Sequence, residues 1–338
     1  MQYPHGVPSR ARSLWLAVMP GLFVFLWSTG FIGAKYGLPY AEPFTYLTIR
    51  FWLVAALLAT VAWVGGARWP RGGGEIAHLA VAGLLVHGVY LSGAFTSMYL
   101  GVETGVSALI VGVQPPLTAA LAGPFLGERV TPRGWVGLGL GFVGVVLVVS
   151  NKLGLGLGTP GGMAMAGVAL VGITLGTLYQ KRYCAGMDIR SGGVVQFTAA
   201  GVLATLLAFL LESRRVVWTP TFLFALAWMV LVMSLGAITL LYLLIRRGEA
   251  YRVSTLFYLV PATTAVLGYL AFGERLAPTA LVGMVLVAVG AALVINAPGP
   301  RRARSTDLRT CRKPRPRRTR LRGRRSPSLR SRGCAPPA

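Results

Sequence analysis

Two basic side chains stand where an apolar sequence should exclude them. Lys35 closes the run WSTGFIGAKYG (27–37), and Arg50 lies inside LTIRF (47–51). A charge within a membrane-length apolar segment is costly and marks a functional position by default. Either group could draw in a carboxylate or a phosphate. Lys35, at the end of its run, could instead extend to the headgroups, whereas Arg50 is embedded. Lys181 stands 146 residues after Lys35 and Gln196 the same distance after Arg50, so the second half keeps one cation and one neutral polar group. Pro115, Pro116 and Pro261 interrupt apolar runs, and a proline there removes a backbone hydrogen bond and bends the helix. Gln114 precedes the first kink and could orient a bound molecule. Trp27, Tyr90, Tyr179, Tyr242 and Tyr258 carry polar tips suited to lining a cavity, or to anchoring at an interface. Glu128 and Glu274, each followed by arginine, could act as gates or as ion pairs at helix boundaries. Glu103 and Glu212 lie near run ends, so no acid is expected to relay protons at mid-depth.

Other chemistries find no support. Cys184, Cys311 and Cys334 have no CxxC or zinc spacing, and His5, His78 and His87 form no HExxH pattern. Gly139, Gly141 and Gly144 fit GxGxxG, but lie within an apolar run and follow no strand. Small residues at that spacing instead let helices approach closely. No nucleophile has a partnered base. The expectation is a non-enzyme without metal or cofactor.

The elements that must position these residues follow from composition. The chain has 338 residues, of which 54% are apolar and 12% charged, against about 25% charged in soluble domains. Mean hydropathy is +0.64. A soluble globular protein is excluded, and so is a disordered chain. A bilayer core needs about 20 apolar residues per helix. Ten such windows fit, near 14–36, 44–65, 77–99, 103–126, 134–150, 162–181, 192–212, 221–245, 252–272 and 279–297. The expected fold is an all-α polytopic membrane protein with ten transmembrane helices. Its parts would be an N-terminal segment 1–13, a five-helix unit 14–150, a glycine-rich linker 151–161, a second unit 162–297 and a tail 298–338.

Net charge is +24. Residues 301–338 hold fifteen basic residues and one acid, Asp307, and have no apolar period. Such a segment is expected to be disordered on the cytoplasmic side. Contact with anionic lipid suits it. Nucleic acid does not, since no aromatic residues interleave to stack on bases. With the N-terminus inside, twelve basic residues fall on inner segments and five on outer ones before the tail is counted. The positive-inside rule therefore places both termini in the cytoplasm.

The chain also repeats itself. Shifted by 146 residues, Pro115–Ser150 falls on Pro261–Asn296 without a gap, and 15 of 36 pairs are identical. Gly127-Glu128-Arg129 falls on Gly273-Glu274-Arg275, Pro132 on Pro278, Gly137 on Gly283 and Gly144 on Gly290. Five windows per half is an odd number, so the second half would cross the membrane in the opposite sense. Inverted-topology repeats characterise secondary transporters.

WSTGFIGAKYG, LTIRF, LIVGVQPPLTA (109–119), GERVTP (127–132) and FYLVPATTAVLGYLAFGERLAP (257–278) occur in that order. Together they resemble the EamA-type members of the drug/metabolite transporter superfamily over about residues 14–297. The resemblance implies a ten-helix inner-membrane transporter of a small metabolite, amino-acid-like or drug-like, acting by alternating access and more often in export. It implies a cavity lined by the first, third, fourth, sixth, eighth and ninth spans. A lipid-carrier flippase or a channel is the alternative. Substrate, coupling ion and oligomeric state do not transfer.

Overall fold

A computed structural model describes residues 9–102, 104–150, 158–272 and 277–297. Glu103, Glu274 and the basic tail lie outside the described residues. What is described is helical. The one extended pairing among these residues is an isolated antiparallel bridge, Ala41 with Val216.

Among the described residues eight helical stretches are long and apolar enough to cross a bilayer, with Leu109–Leu126 counted as one across its break, and Pro132–Val148 is a shorter apolar one. The first half contains α1 (Ser9–Gly37), α2 (Pro43–Val64), α3 (Gly73–Tyr99), α4 (Thr104–Val111), α5 (Gln114–Leu126) and α6 (Pro132–Val149). The second half contains α7 (Pro160–Tyr183), α8 (Ile189–Leu211), α9 (Pro220–Arg247), α10 (Ala250–Thr255), α11 (Leu259–Phe272) and α12 (Pro278–Ile295).

The prolines shape the two breaks. Pro115 and Pro116 occupy the first turn of α5, and cannot donate to the carbonyls of Val111 and Gly112. The fourth apolar run is therefore split at residues 112–113 into α4 and α5. Pro261 stands in the first turn of α11, and the preceding residues Leu256–Tyr258 tighten into a 3-10 turn. Equivalent prolines thus follow equivalent irregularities. Helices α3 and α9 each carry a π-helical turn, Leu84–Val89 and Met229–Ala237, which overlap when the repeats are aligned.

Small residues set the closest helix contacts. A Cβ at Gly137 would lie 2.7 Å from the Gly290 carbonyl oxygen, and one at Gly144 would lie 2.7 Å from that of Gly283. Gly137 and Gly283 are repeat equivalents, as are Gly144 and Gly290. Each glycine of α6 thus meets the equivalent of the other one on α12, and the two helices run antiparallel. The same reciprocity holds for α2 and α8, where the equivalent rings Phe51 and Phe197 meet at 6.0 Å.

Charged residues of the described part cluster at helix ends, and many satisfy terminal backbone groups there. Glu212 accepts from the Phe44 and Thr45 N–H groups at the start of α2 (2.7 and 2.6 Å). Arg190 donates to the Gly65 carbonyl at the end of α2 (2.8 Å). Arg252 donates to the Ile295 and Ala297 carbonyls at the end of α12. Such capping suits helix termini that have no intrahelical partners.

Candidate functional site

A cleft opens where α1, α2 and α3 of the first repeat meet α9 of the second. Trp27, Gly30 and Ala34 line it from α1, Arg50 from α2, Tyr90 and Phe95 among others from α3, and Met229 and Met233 from α9. The glycines of WSTGFIGAKYG have a steric reason. A Cβ at Gly30 would lie 2.5 Å from Met233 Cε, and one at Gly33 2.9 Å from Met229 Sδ. The two methionines of the π turn sit against those bare stretches of α1.

Arg50 is 2% exposed. Its Nε and Nη2 both donate to Ser234 Oγ at 3.1 Å. Its Nη1 is buried and has no protein partner. Ser234 Oγ donates in turn to the Met229 carbonyl at 3.0 Å, five residues back along the π turn. Across the cleft Trp27 stacks on Tyr90 (6.4 Å, 18°), and it meets Phe257, which stands outside the lining, edge-on at 5.0 Å. Tyr46 lies one helical turn before Arg50 and shares its face. Its hydroxyl is also buried without a partner.

Gln196, the repeat equivalent of Arg50, anchors a second buried polar cluster. Its Nε2 donates to Gln180 Oε1 at 2.8 Å, and its Oε1 accepts from Tyr242 Oη at 2.5 Å. Tyr242 Oη also lies 3.0 Å from His87 Nε2. The His87 ring stacks on Phe197 (4.1 Å, 17°). His87 comes from the π turn of α3, as Ser234 comes from that of α9. Each repeat's α2-type helix therefore places a polar side chain close to the π turn of the other half, directly for Arg50 and through Tyr242 for Gln196.

Of the expected candidates, the fold brings Trp27, Arg50 and Tyr90 together. The others lie elsewhere. Lys35 is exposed. Gln114 is buried beside Thr177, with Nε2 3.4 Å from its hydroxyl. Tyr179 bonds the His78 ring at 2.7 Å. Tyr258 donates to the Leu138 carbonyl (3.0 Å), and its ring covers Gly141. Lys181 donates to the Ile245 and Gly248 carbonyls (2.7 and 2.6 Å), capping α9. Glu128 accepts from the Ala250 N–H at 2.8 Å, capping α10 rather than pairing with Arg129. Burial holds its carboxyl above its ordinary pKa, against the opposing pull of that N–H and of Lys181. Gly127, at φ 69°, makes the left-handed turn that aims Glu128 there. Pro115 is buried, and Pro116 and Pro261 are half-buried in first turns outside the cleft. Among the described residues, none from the fourth, sixth or ninth span, expected to line a cavity, lines this cleft, whereas Arg50 of α2 does. Ser234 and Gln180 carry no motif in the sequence, and His87 stands there only as a histidine outside any metal pattern. The signal was a lone polar residue deep in an apolar run. Among the described residues no group of three or more His, Cys, Asp or Glu could hold a metal ion.

The EamA-like transporter family model matches the chain twice, over residues 14–150 and 160–296. The chain belongs to the EamA-like transporter family. An uncharacterized transporter, YvbV, of Bacillus subtilis is 27% identical over 82% of this chain and 90% of its own. A probable amino-acid metabolite efflux pump of Salmonella typhimurium is 24% identical over 85% of this chain and 96% of its own. A solved crystal structure superposes with a TM-score of 0.67 at 18% identity, covering 82% of this chain and 96% of the other. That likeness speaks to the fold. The chain is thus a multi-pass EamA-like membrane protein made of two family repeats, and its relatives are named as transporters and efflux pumps.

Proposed function

We propose that this EamA-like protein is a secondary transporter that exports a small metabolite across the inner membrane by alternating access. In this reading ten spans form two five-helix units of inverted topology, with both termini in the cytoplasm. The observation that carries it is the reciprocal packing of repeat-equivalent glycines, Gly137 with Gly290 and Gly144 with Gly283. Reciprocal contacts of this kind are those of a two-fold axis perpendicular to the helices. Two like halves so related can exchange conformations and open a site to either face in turn. The cleft suits the site because both halves build it, with Arg50 of one bonded to Ser234 of the other. A relative named as an amino-acid metabolite efflux pump supports small-metabolite export.

The test is flux in proteoliposomes against a metabolite panel. The expected result is saturable flux of at least one compound, reduced about tenfold or more by Arg50→Ala. Loss of one charge-assisted contact is worth that much. Absence of saturable flux for every compound, or a conductance that never saturates, would overturn the reading.

A further inference from the structure

We propose that the cleft is a monoanion subsite: it takes a single carboxylate at Arg50, on a molecule whose remainder is apolar. This rests on the transporter reading above and names its substrate class. Three observations carry it. Arg50 is fully enclosed, yet its protein partner is a neutral hydroxyl, Ser234. The six acids among the described residues are bonded elsewhere. Glu212 and Glu128 cap helices, Glu42 accepts from Ser213, Glu75 accepts from the Arg71 N–H, Asp188 pairs with Arg190 and Glu249 pairs with Arg252. A buried charge without a counter-charge is strongly unfavourable, so a ligand that supplies one is held tightly.

The second observation is the open donor. Arg50 Nη1 is buried with no hydrogen-bond partner. A guanidinium presents planar donors that match the two oxygens of a carboxylate. One cation with one open terminal nitrogen balances one negative charge, which favours a carboxylate over a phosphate dianion.

The third is what surrounds the charge. Trp27, Phe95, Met98, Met229, Met233 and Ile238 line the cleft, and none of the described acidic residues does. An ammonium group would find no carboxylate among the described lining residues and would be repelled by Arg50. Methionine side chains repack around apolar bodies of differing shape, so the apolar part is read loosely and the carboxylate strictly.

The experiment compares matched probes on the purified full chain in detergent. 3-Phenylpropionate carries the acid, 3-phenylpropylamine carries an amine on the same body, and chloride is an anion without a body. Binding is read by titrating tryptophan fluorescence, and by thermal stabilisation. The wild type is expected to bind the carboxylate at least about tenfold more tightly than the amine, with chloride weaker still. Arg50→Gln should abolish that preference. Arg50→Lys, which retains a buried cation, should keep the preference with weaker binding. Equal or tighter binding of the amine, equal stabilisation by chloride, or an Arg50→Gln protein that melts cooperatively and still prefers the carboxylate would each overturn the proposal. The wild-type comparison decides by itself should Arg50→Gln fail to fold. Parallel proteoliposome flux separates the two readings. Saturable flux of compounds without a carboxylate preference removes the subsite and leaves transport. Carboxylate binding without any flux removes transport and leaves the subsite.

Discussion

Arg50 and Gln196 hold equivalent places in the two repeats but solve burial differently. Gln196 is satisfied on both ends of its amide by Gln180 and Tyr242. Arg50 is left with donor capacity to spare. This asymmetry was half legible in the sequence, where a charge inside an apolar run is conspicuous. Its partner Ser234 was not, since a serine in such a run gives no sign of which helix it faces. At the surface the residues that looked alike in sequence also diverge. Lys181 caps a helix, while Lys35 is exposed. Asp188 shows how such end residues act. Its carboxylate holds the N-cap of α8 and binds Arg190 at 2.9 Å, and Arg190 reaches on to the end of α2. The Arg190 contact holds the Asp188 carboxyl below its ordinary pKa. A depressed carboxylate stabilises the fold above its unfolded pKa of about 3.9 and loses that contribution as pH falls through the lower folded value. Asp188→Asn keeps a capping side chain but removes the charge. It is expected to cost about 0.2–1 kcal/mol at pH 7, the range for partly exposed pairs. The difference in melting temperature from wild type should shrink as pH falls below about 4. A constant difference down to pH 3 would mean that the ion pair contributes nothing.

The helices were legible because apolar windows near 20 residues are a strong signal and prolines and glycines punctuate them. The interruptions were legible only as kinks. That the loop after α5 would end in a carboxylate cap, with Glu128 on the Ala250 N–H, depends on a contact between halves that one stretch of sequence does not contain. The π turns of α3 and α9 had no signature at all, although they present His87 and Ser234. Of the GxGxxG glycines in α6, Gly141 and Gly144 pack closely on a neighbour as their spacing suggests and Gly139 does not, which allows a direct test at this scale. Gly144→Val should clash, because a Cβ there would lie 2.7 Å from the Gly283 carbonyl and the same distance from the Val287 nitrogen. Backbone atoms cannot swing aside as a side chain can, so an overpacking cost of about 1–3 kcal/mol is expected. Gly139, on the same helix, has nothing within 4 Å of its would-be Cβ. Gly139→Ala should therefore be neutral, or stabilising by up to about 1 kcal/mol from helix propensity. Thermal melts of the two variants beside wild type decide it. Equal melting temperatures would mean that α6 and α12 do not pack at these glycines.

The charge of the whole molecule divides by position rather than by partner. Of the net +24, the segment 301–338 contributes +14 and residues 1–300 contribute +10. The cleft uses one of these charges, Arg50, and the helix ends use several more as caps. The tail is needed for neither role. The orientation does not require it either. Without it, inner segments still hold twelve basic residues against five outside when the N-terminus is inside. Charge bias over short loops near the span ends sets topology, and that bias survives truncation. A chain ending at Pro300 is therefore expected to keep the flux of the full chain within about twofold, since none of the cleft residues is removed. It should also keep both ends cytoplasmic. Reporter fusions at residue 300 and at the loop after Val64 should read inside, and one at the loop after Gly37 outside. A truncated chain that inserts in both orientations would instead make the tail the decisive topological signal, overriding the bias of the loops.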